Sequence, residues 1–478
     1  MWRFRKIFFL IGIFINLSFS VQAEADTTRA QQYFDLGEEY LFQYQFDSAR
    51  HYFKASSEIY RSLEDWEGHI KCLNKLSESY WRNYELEESE IYADSALKMS
   101  PFKRGELHVE TANSYFHMAS IYYLKGDFFK SLKFSKKCLV VDKSLYGEYH
   151  KYVASDLESI ASAYSALNQY HIAEKHYLKC KTIREKIMEP EHYMLSSIYS
   201  NLSICYSKME LYEISMLWLN KSLSISEKIF DKNEFRYLIN IINKVSFLNK
   251  TKKYDEAHKV LKSNSYILNS ENHSILELYY LNLGDTYLYL NKLDSSLLYY
   301  NKALKVIKDE SNPNNSLINQ RIAKTYLKLN LYPKAKMHYE ISLFNIKGPD
   351  GFLSNNADIN HLNSLTQLGN LYYTISPEHP LDTLKKSLTY YQYSDTLIDH
   401  MRRERVLYQD KVALGEQAWE TYKGAIRTCL KLYENTQDPY YKALAFHYAE
   451  KSKSGALTQN LSDYRAKSFG IIPDALLE

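Results

Sequence analysis

Residues 283–303 read LGDTYLYLNKLDSSLLYYNKA, and their order decides the fold. Leu283 and Tyr287 stand at i and i+4 with Gly284 beside them, which gives a helix an apolar ridge and a gap where a second helix can cross closely. Six residues after the tyrosine comes Leu293, then the small Ser296, the aromatic Tyr300 and the small Ala303. That second group restarts a helical pattern after a short break. The segment therefore predicts helix, turn, helix.

The same arrangement recurs along the chain. Tyr40, Tyr80, Tyr122, Tyr164, Tyr206, Leu248, Tyr287, Tyr326 and Tyr372 form one register, with equal steps from Tyr80 through Leu248. Four residues before each stand Leu36, Leu76, Met118, Ile160, Leu202, Lys244, Leu283, Ile322 and Leu368. Each is followed by a small residue, except for Val245 in the sixth unit. Nine residues after the slot come Ala49, Ser89, Ser131, Ala173, Ser215, Ala257, Ser296 and Ala335, every one Ala or Ser. Asp47, Asp127, Asp255 and Asp294 fall near the start of the second helices and are expected to cap them. A fixed period of this length marks stacked two-helix units with one continuous core.

These residues resemble the tetratricopeptide (TPR) repeat, strongly over about residues 30–345 and more loosely over 360–450. Leu36, Gly37, Tyr40, Ala49, Phe53 and Ser56 match its pattern, as do Leu283, Gly284, Tyr287, Ser296, Tyr300 and Ala303. The period, about 42, exceeds the usual repeat of about 34 residues by roughly two helical turns. The resemblance implies an all-α fold, a right-handed superhelix of about nine to ten helix-turn-helix repeats. The expected organisation is a signal peptide over 1–23, the repeat array over 24–400, further repeat-like helices over 401–464, and a junction beginning at 465–478.

Composition agrees with long helices and short connections. Only 14 Gly and 9 Pro occur in 478 residues, and 45 tyrosines are expected mostly as packing rings with their hydroxyls reaching the surface. The net charge of +3 and the lack of a basic block argue against a nucleic-acid partner. Trp2-Arg3-Phe4-Arg5-Lys6, the apolar run from Ile7 to Phe19 and Val21-Gln22-Ala23 read as an export signal cleaved after Ala23. That predicts a periplasmic or secreted protein with no membrane insertion beyond this segment, apart from tethering through a segment further downstream. Five single cysteines form no disulfide framework. Cys138 and Cys180 fall on the small second-helix position held elsewhere by Ser56, Ala96, Ser222 and Ala303, and are expected to pack rather than ligate.

Catalytic and cofactor signatures are missing. The sequence holds no GxxxxGK[ST], GxGxxG or HExxH. His171 and His176 are five apart and so lie on different helix faces. Ser95-Ala96-Leu97-Lys98 matches SxxK, but no SDN or KTG completes it. Cys429 and His447 both lie in repeat-like helices. The expectation is therefore no catalytic residue, no cofactor and no metal.

The end of the chain changes character. Met401 to Asn435 is predicted as one helix, and Asp438-Pro439 as the cap and first residue of another that runs to about Tyr464. A break at Ser468-Phe469-Gly470 precedes a new start at Pro473-Asp474. YYKALAFHYAEKSKSGALTQNL (440–461) followed by RAKSFGIIPDALLE (465–478) resembles the segment that joins TPR arrays to the caspase-like CHAT domain in bacterial CHAT-TPR proteins. The resemblance implies an effector domain in cis beyond Glu478. No catalytic residue can be carried over onto this chain.

The expected function is protein–protein interaction. In the register of the TPR groove, Asn113, Phe116, Ser120, Ser155, Glu158, Ser162, Ser197 and Ser200 would point to the concave face. Such small hydroxylated residues suit hydrogen bonding to an extended peptide backbone. The Lys/Asn/Arg set of carboxylate-clamp repeats is not matched. Two alternatives stay open: the regulatory half of a periplasmic CHAT-type cysteine peptidase, and the sensor array of a membrane-linked signalling protein.

Overall fold

The computed structural model describes residues 24–468, apart from residue 233 and the segments 270–272, 308–312, 344–358, 376–379 and 405–407. The expected signal peptide, and the break and restart after Ser468, lie outside the described residues. Among those described there is no strand, and no helix is long and apolar enough to cross a membrane. The helices are α1 (24–42), α2 (Phe46–Ser62), α3 (Trp66–Arg82), α4 (Leu86–Arg104), α5 (Val109–Leu124), α6 (Phe128–Tyr146), α7 (Lys151–Ala166), α8 (Tyr170–Ile187), α9 (Tyr193–Lys208) and α10 (Tyr212–Ile229). They continue as α11 (Phe235–Lys250), α12 (Tyr254–Ser263), α13 (His273–Tyr289), α14 (Leu293–Val306), α15 (Pro313–Lys328), α16 (Tyr332–Ser342), α17 (Ile359–Thr374), α18 (Pro380–Glu404), α19 (Tyr408–Thr436) and α20 (Pro439–Ser468), with a 3-10 turn at Ser265–Asn269. Odd-numbered helices open a repeat and even-numbered helices close it.

The helices fall into two compact units. One reaches as far as Ala163 and includes Thr182–Ile187; the other holds Tyr164–Lys181 and everything from Met188 on. In the third to fifth repeats the extra length goes to the closing helix. α6, α8 and α10 have 19, 18 and 18 residues against 16 in each of α5, α7 and α9.

The tyrosine register is a stacking register. Tyr40 lies on Tyr52 with ring centroids 5.4 Å apart and planes within 3°, Tyr80 on Tyr92 at 5.3 Å, Tyr122 on Phe134 at 5.7 Å and 2°. In the second unit Tyr164 stacks on His176, Tyr287 on Tyr299, Tyr326 on His338 and Tyr372 on Tyr390, all between 5.4 and 5.8 Å. All but the last of these partners stand at i+12 from the slot. Stacked ring pairs contribute about 0.5–1.5 kcal/mol beyond the area they bury.

The small positions are where helices cross. A Cβ on Gly37 would lie 2.6 Å from the Phe53 ring, and one on Gly369 would lie 2.7 Å from Tyr391. The sixth unit carries Val245 at this position, and at the place equivalent to Phe53 it carries Leu261, not a ring. Both are fully buried in one apolar cluster, so a narrower partner leaves room for the larger neighbour. The second small position is at most 2% exposed in all eight repeats. At three of its serines the hydroxyl donates to a carbonyl of the opening helix: Ser89 to Ser77 O (2.8 Å), Ser215 to Ser203 O (2.8 Å), Ser296 to Gly284 O (3.0 Å). Ser and Ala interchange there because both are small and, at these three sites, the hydroxyl finds a partner.

The turns follow one rule as well. Four residues past the slot the backbone enters the left-handed region, at Tyr44, Tyr84, Gly126, Asn168, Glu210, Lys252, Asn291 and Asn330, with φ between 58° and 77°. Except after Gly126, the next amide donates back to the slot carbonyl, as from Gln45 N to Tyr40 O (2.9 Å) and Gln169 N to Tyr164 O (2.8 Å). This is Schellman-type closure. With backbone groups closing the turn, the cap residue five after the slot is free to vary.

Two expectations are corrected. Asp127 does cap α6, accepting from Lys130 N at 3.1 Å, but Asp47, Asp255 and Asp294 stand two positions past the caps Gln45, Lys253 and Lys292. They act on the helix dipole from the first turn instead. The helix expected from Met401 to Asn435 is divided, because Met401 continues the buried face of α18 formed by Leu397 and Ile398 and belongs to that helix. Asp438 caps α20 as expected, accepting from Tyr440 N at 2.9 Å.

Candidate functional site

Three histidines that share one repeat position open the central repeats. Nδ1 of His108, His150 and His192 accepts from the backbone N–H of Glu110, Tyr152 and Met194 at 3.2, 3.3 and 3.1 Å. A ring nitrogen can cap in this way only when it is unprotonated. Burial and the Arg104 charge hold His108 below the usual imidazole range. These caps fix where α5, α7 and α9 begin, and so which side chains share the face nine, six and two residues before the slot.

In the first unit that face is half-buried and polar. Asn113 Nδ2 donates to Glu110 Oε2 at 3.3 Å and Phe116 lies beside it, partly open. Ser120 Oγ donates to Phe116 O at 3.0 Å, and Ser155 Oγ to Lys151 O at 3.1 Å. Hydroxyls that spend their proton on the carbonyl one turn back keep lone pairs to accept from an incoming N–H. Ser162 takes the same register on α7 and is half-buried. Glu158 differs: its carboxylate receives Arg184 Nη2 at 2.5 Å, and that guanidinium side chain is only 3% exposed. Glu158 is therefore part of a packed ion pair and does not stand as a spare anion.

Toward the N-terminal end the face becomes charged. Lys75 Nζ bridges Glu38 and Glu78 at 3.1 Å each, and Arg82 pairs with Glu78 at 3.4 Å. Burial works to raise the Glu78 carboxyl, but Lys75, with His117 and Arg82, outweighs it and holds the group below the carboxylate range. Trp81 Nε1 donates to His117 Nδ1 at 3.3 Å. Burial pushes His117 down to about 4, so the ring is neutral and can accept.

In the second unit the two expected residues separate. Ser197 is exposed, whereas Ser200 is buried and accepts from Asn243 Nδ2 of α11 at 3.0 Å. A basic set goes unread in the sequence. Lys250 and Lys328, both two residues past the slot, place their ammonium groups on the ends of earlier opening helices, at Ser207 Oγ (3.2 Å) and Leu288 O (3.4 Å). Burial, then Lys208 and Arg321, brings Lys250 down to about 8. Arg321 itself faces Asp285 at 3.2 Å. The signal for the lysines was in plain view, since Lys208, Lys250 and Lys328 share one register position.

Sequence models of the tetratricopeptide repeat match residues 110–186, 156–228 and 278–310. The chain carries tetratricopeptide repeats over these residues, in an all-helical fold. No curated protein matches it. Among solved structures, it is similar to a Rap protein complexed with competence and sporulation factor (13% identity, 79% of this chain and 99% of that one, TM-score 0.49). It is also similar to NprR in complex with its cognate peptide NprX (14% identity, 78% and 100%, TM-score 0.47) and to the apo form of RapI (21%, 58% and 97%, TM-score 0.46).

Proposed function

We propose that the chain is an exported, non-catalytic binding scaffold whose opening-helix faces on α5 and α7 hold an extended segment of a partner polypeptide. The observation that carries this reading is the row Asn113, Phe116, Ser120, Ser155 and Ser162: half-buried, small or flat, and fixed in register by histidine caps. Serine lone pairs on consecutive repeats can accept from the N–H groups of a peptide backbone, and Phe116 offers one apolar contact. The test is capture from a randomised peptide library by the protein and by a Ser120→Arg/Ser162→Arg variant. These sites are chosen because replacing Glu158 would break the ion pair with Arg184. Loss of capture with helical content intact supports the reading; equal capture by both proteins removes this face from consideration.

The export signal at residues 1–23 supports action outside the cytoplasm, and N-terminal sequencing of the protein recovered from the periplasm or medium is expected to begin at Glu24. The resemblance of residues 440–478 to a CHAT junction supports an effector in cis, in which case the scaffold is the regulatory half of a cysteine peptidase. Reading the coding frame past Glu478 for a His/Cys pair decides that point; a stop codon there rules it out.

A further inference from the structure

The closing helix of the third repeat carries Ser135, Cys138 and Asp142 on one face, at i, i+3 and i+7. Opposite them α7 supplies Asp156. All four are buried, none more than 6% exposed. The Cys138 Sγ and one oxygen from each carboxylate lie within 4.8 Å of one another. The thiol sits 3.2 Å from the Ala112 carbonyl and 4.0 Å from Asp142 Oδ2. Asp156 Oδ2 and Ser135 Oγ are completely enclosed and have no hydrogen-bond partner.

That is an unusual accumulation of buried acidic groups without a cationic partner. Other buried charged groups in this unit have partners: Arg50 pairs with Glu85 at 2.8 Å, Arg184 with Glu158 at 2.5 Å, and Glu110 Oε2 accepts from Asn74 Nδ2 at 2.8 Å. Among the described residues, no Lys, Arg or His forms an ion pair with Asp142 or Asp156. Burial, and for Asp156 also the nearby Asp142 charge, pushes both carboxyls above the usual range. An enclosed carboxylate oxygen without a donor costs several kcal/mol unless a proton or a cation meets it.

We infer that Cys138, Asp142 and Asp156 form a binding site for a divalent cation of the zinc class, clamping α6 to α7. The donor set selects the ion. One thiolate with two carboxylates suits Zn²⁺, which takes sulfur at about 2.3 Å and oxygen at about 2.0–2.2 Å, whereas Ca²⁺ and Mg²⁺ require six or more oxygens. Tetrahedral geometry at those lengths sets the donor atoms roughly 3.5 Å apart, so side-chain rotations of about an ångström close the cluster. Three protein donors leave one corner for a water or the Ala112 carbonyl. Binding releases the thiol proton and any proton the carboxyl pair holds, and leaves a net charge near −1 on the closed cluster. In the next repeat Cys180 holds the position equivalent to Cys138, but among the described residues it belongs to no such cluster, which makes it the internal control.

The experiment uses the full chain, refolded from denaturant with Zn²⁺ or Co²⁺ present so that a closed site can fill, then desalted. The protein is expected to retain one more equivalent of zinc than Cys138→Ser or Asp156→Asn, by elemental analysis. The cobalt form should show a thiolate-to-metal charge-transfer band that is lost in Cys138→Ser and kept in Cys180→Ser. Affinity in Asp156→Asn should fall at least roughly tenfold. No charge-transfer band in the parent would overturn the inference and leave a carboxyl pair sharing a proton. Equal retention by parent and Cys138→Ser would overturn it too. The parent's band decides the matter even where a variant fails to fold.

Discussion

Gly284→Ala gives the sharpest test of the packing register, because local and tertiary effects pull in opposite directions. In the middle of an exposed helix the change would stabilise by about 1 kcal/mol. Here the new methyl would fall well inside contact distance of the Tyr300 ring, whose Cγ lies 3.0 Å away and two of whose other carbons lie nearer. The ring cannot step aside: it is fully buried, and its hydroxyl donates to Asp285 Oδ1 at 2.6 Å. Overpacking of this kind costs about 1–3 kcal/mol, so the net effect should be a loss of about 1 kcal/mol or more. With Tyr300→Leu in place, a pairing the sixth unit approaches with Val245 and Leu261, the same alanine should stabilise by up to about 1 kcal/mol. Urea unfolding of the four proteins measures this, supplemented by hydrogen exchange of α13 amides because repeat arrays open in parts. Gly284→Ala more stable than the parent would refute the crossing geometry.

Further outcomes follow from the same structure. Ala173→Leu and Ala257→Leu, both at fully buried positions, should each cost about 1–3 kcal/mol by thermal or urea unfolding. His117 titrates near 4 in the fold against 6.5 in the unfolded chain, so its contribution is complete above pH 6.5 and is lost as the pH falls from 6.5 through about 4. The loss reaches about 3 kcal/mol, and His117→Asn, which keeps an acceptor for Trp81, should flatten the acid limb of the stability curve. Glu210 occupies the left-handed turn position with φ of 61°, so Glu210→Gly should stabilise by up to about 1 kcal/mol, whereas Gly126→Ala should destabilise by about as much.

The repeat was legible because packing positions constrain residue size, and size survives in a single sequence. Gly37, Ala173 and Ser296 announce themselves as small wherever a helix crosses. The stacking partners were harder to read: Tyr52, Phe134, His176 and His338 share flatness but not polarity, so no chemical class marks their column. The candidate site was read in register but not in partnership. Nothing local shows that Arg184, on the closing helix of the same repeat, closes over Glu158, or that Asn243 of the following repeat covers Ser200. Cys138 looked like a packing residue and is one. The carboxylates beside it come from two helices, and only the fold brings them together. Asp47 was misread as a cap because the true cap position, closed by backbone hydrogen bonds, carries no preferred residue.

The central claim is that partner polypeptide lies along the opening-helix face of α5 and α7. Photo-crosslinking measures this directly, with a benzophenone amino acid placed singly at Ser120, at Ser162 and, as a control, at Val140, which is 62% exposed on a closing helix. With a peptide selected from the library, the account predicts adducts from Ser120 and Ser162 and none from Val140. Adducts from Val140 alone would contradict it.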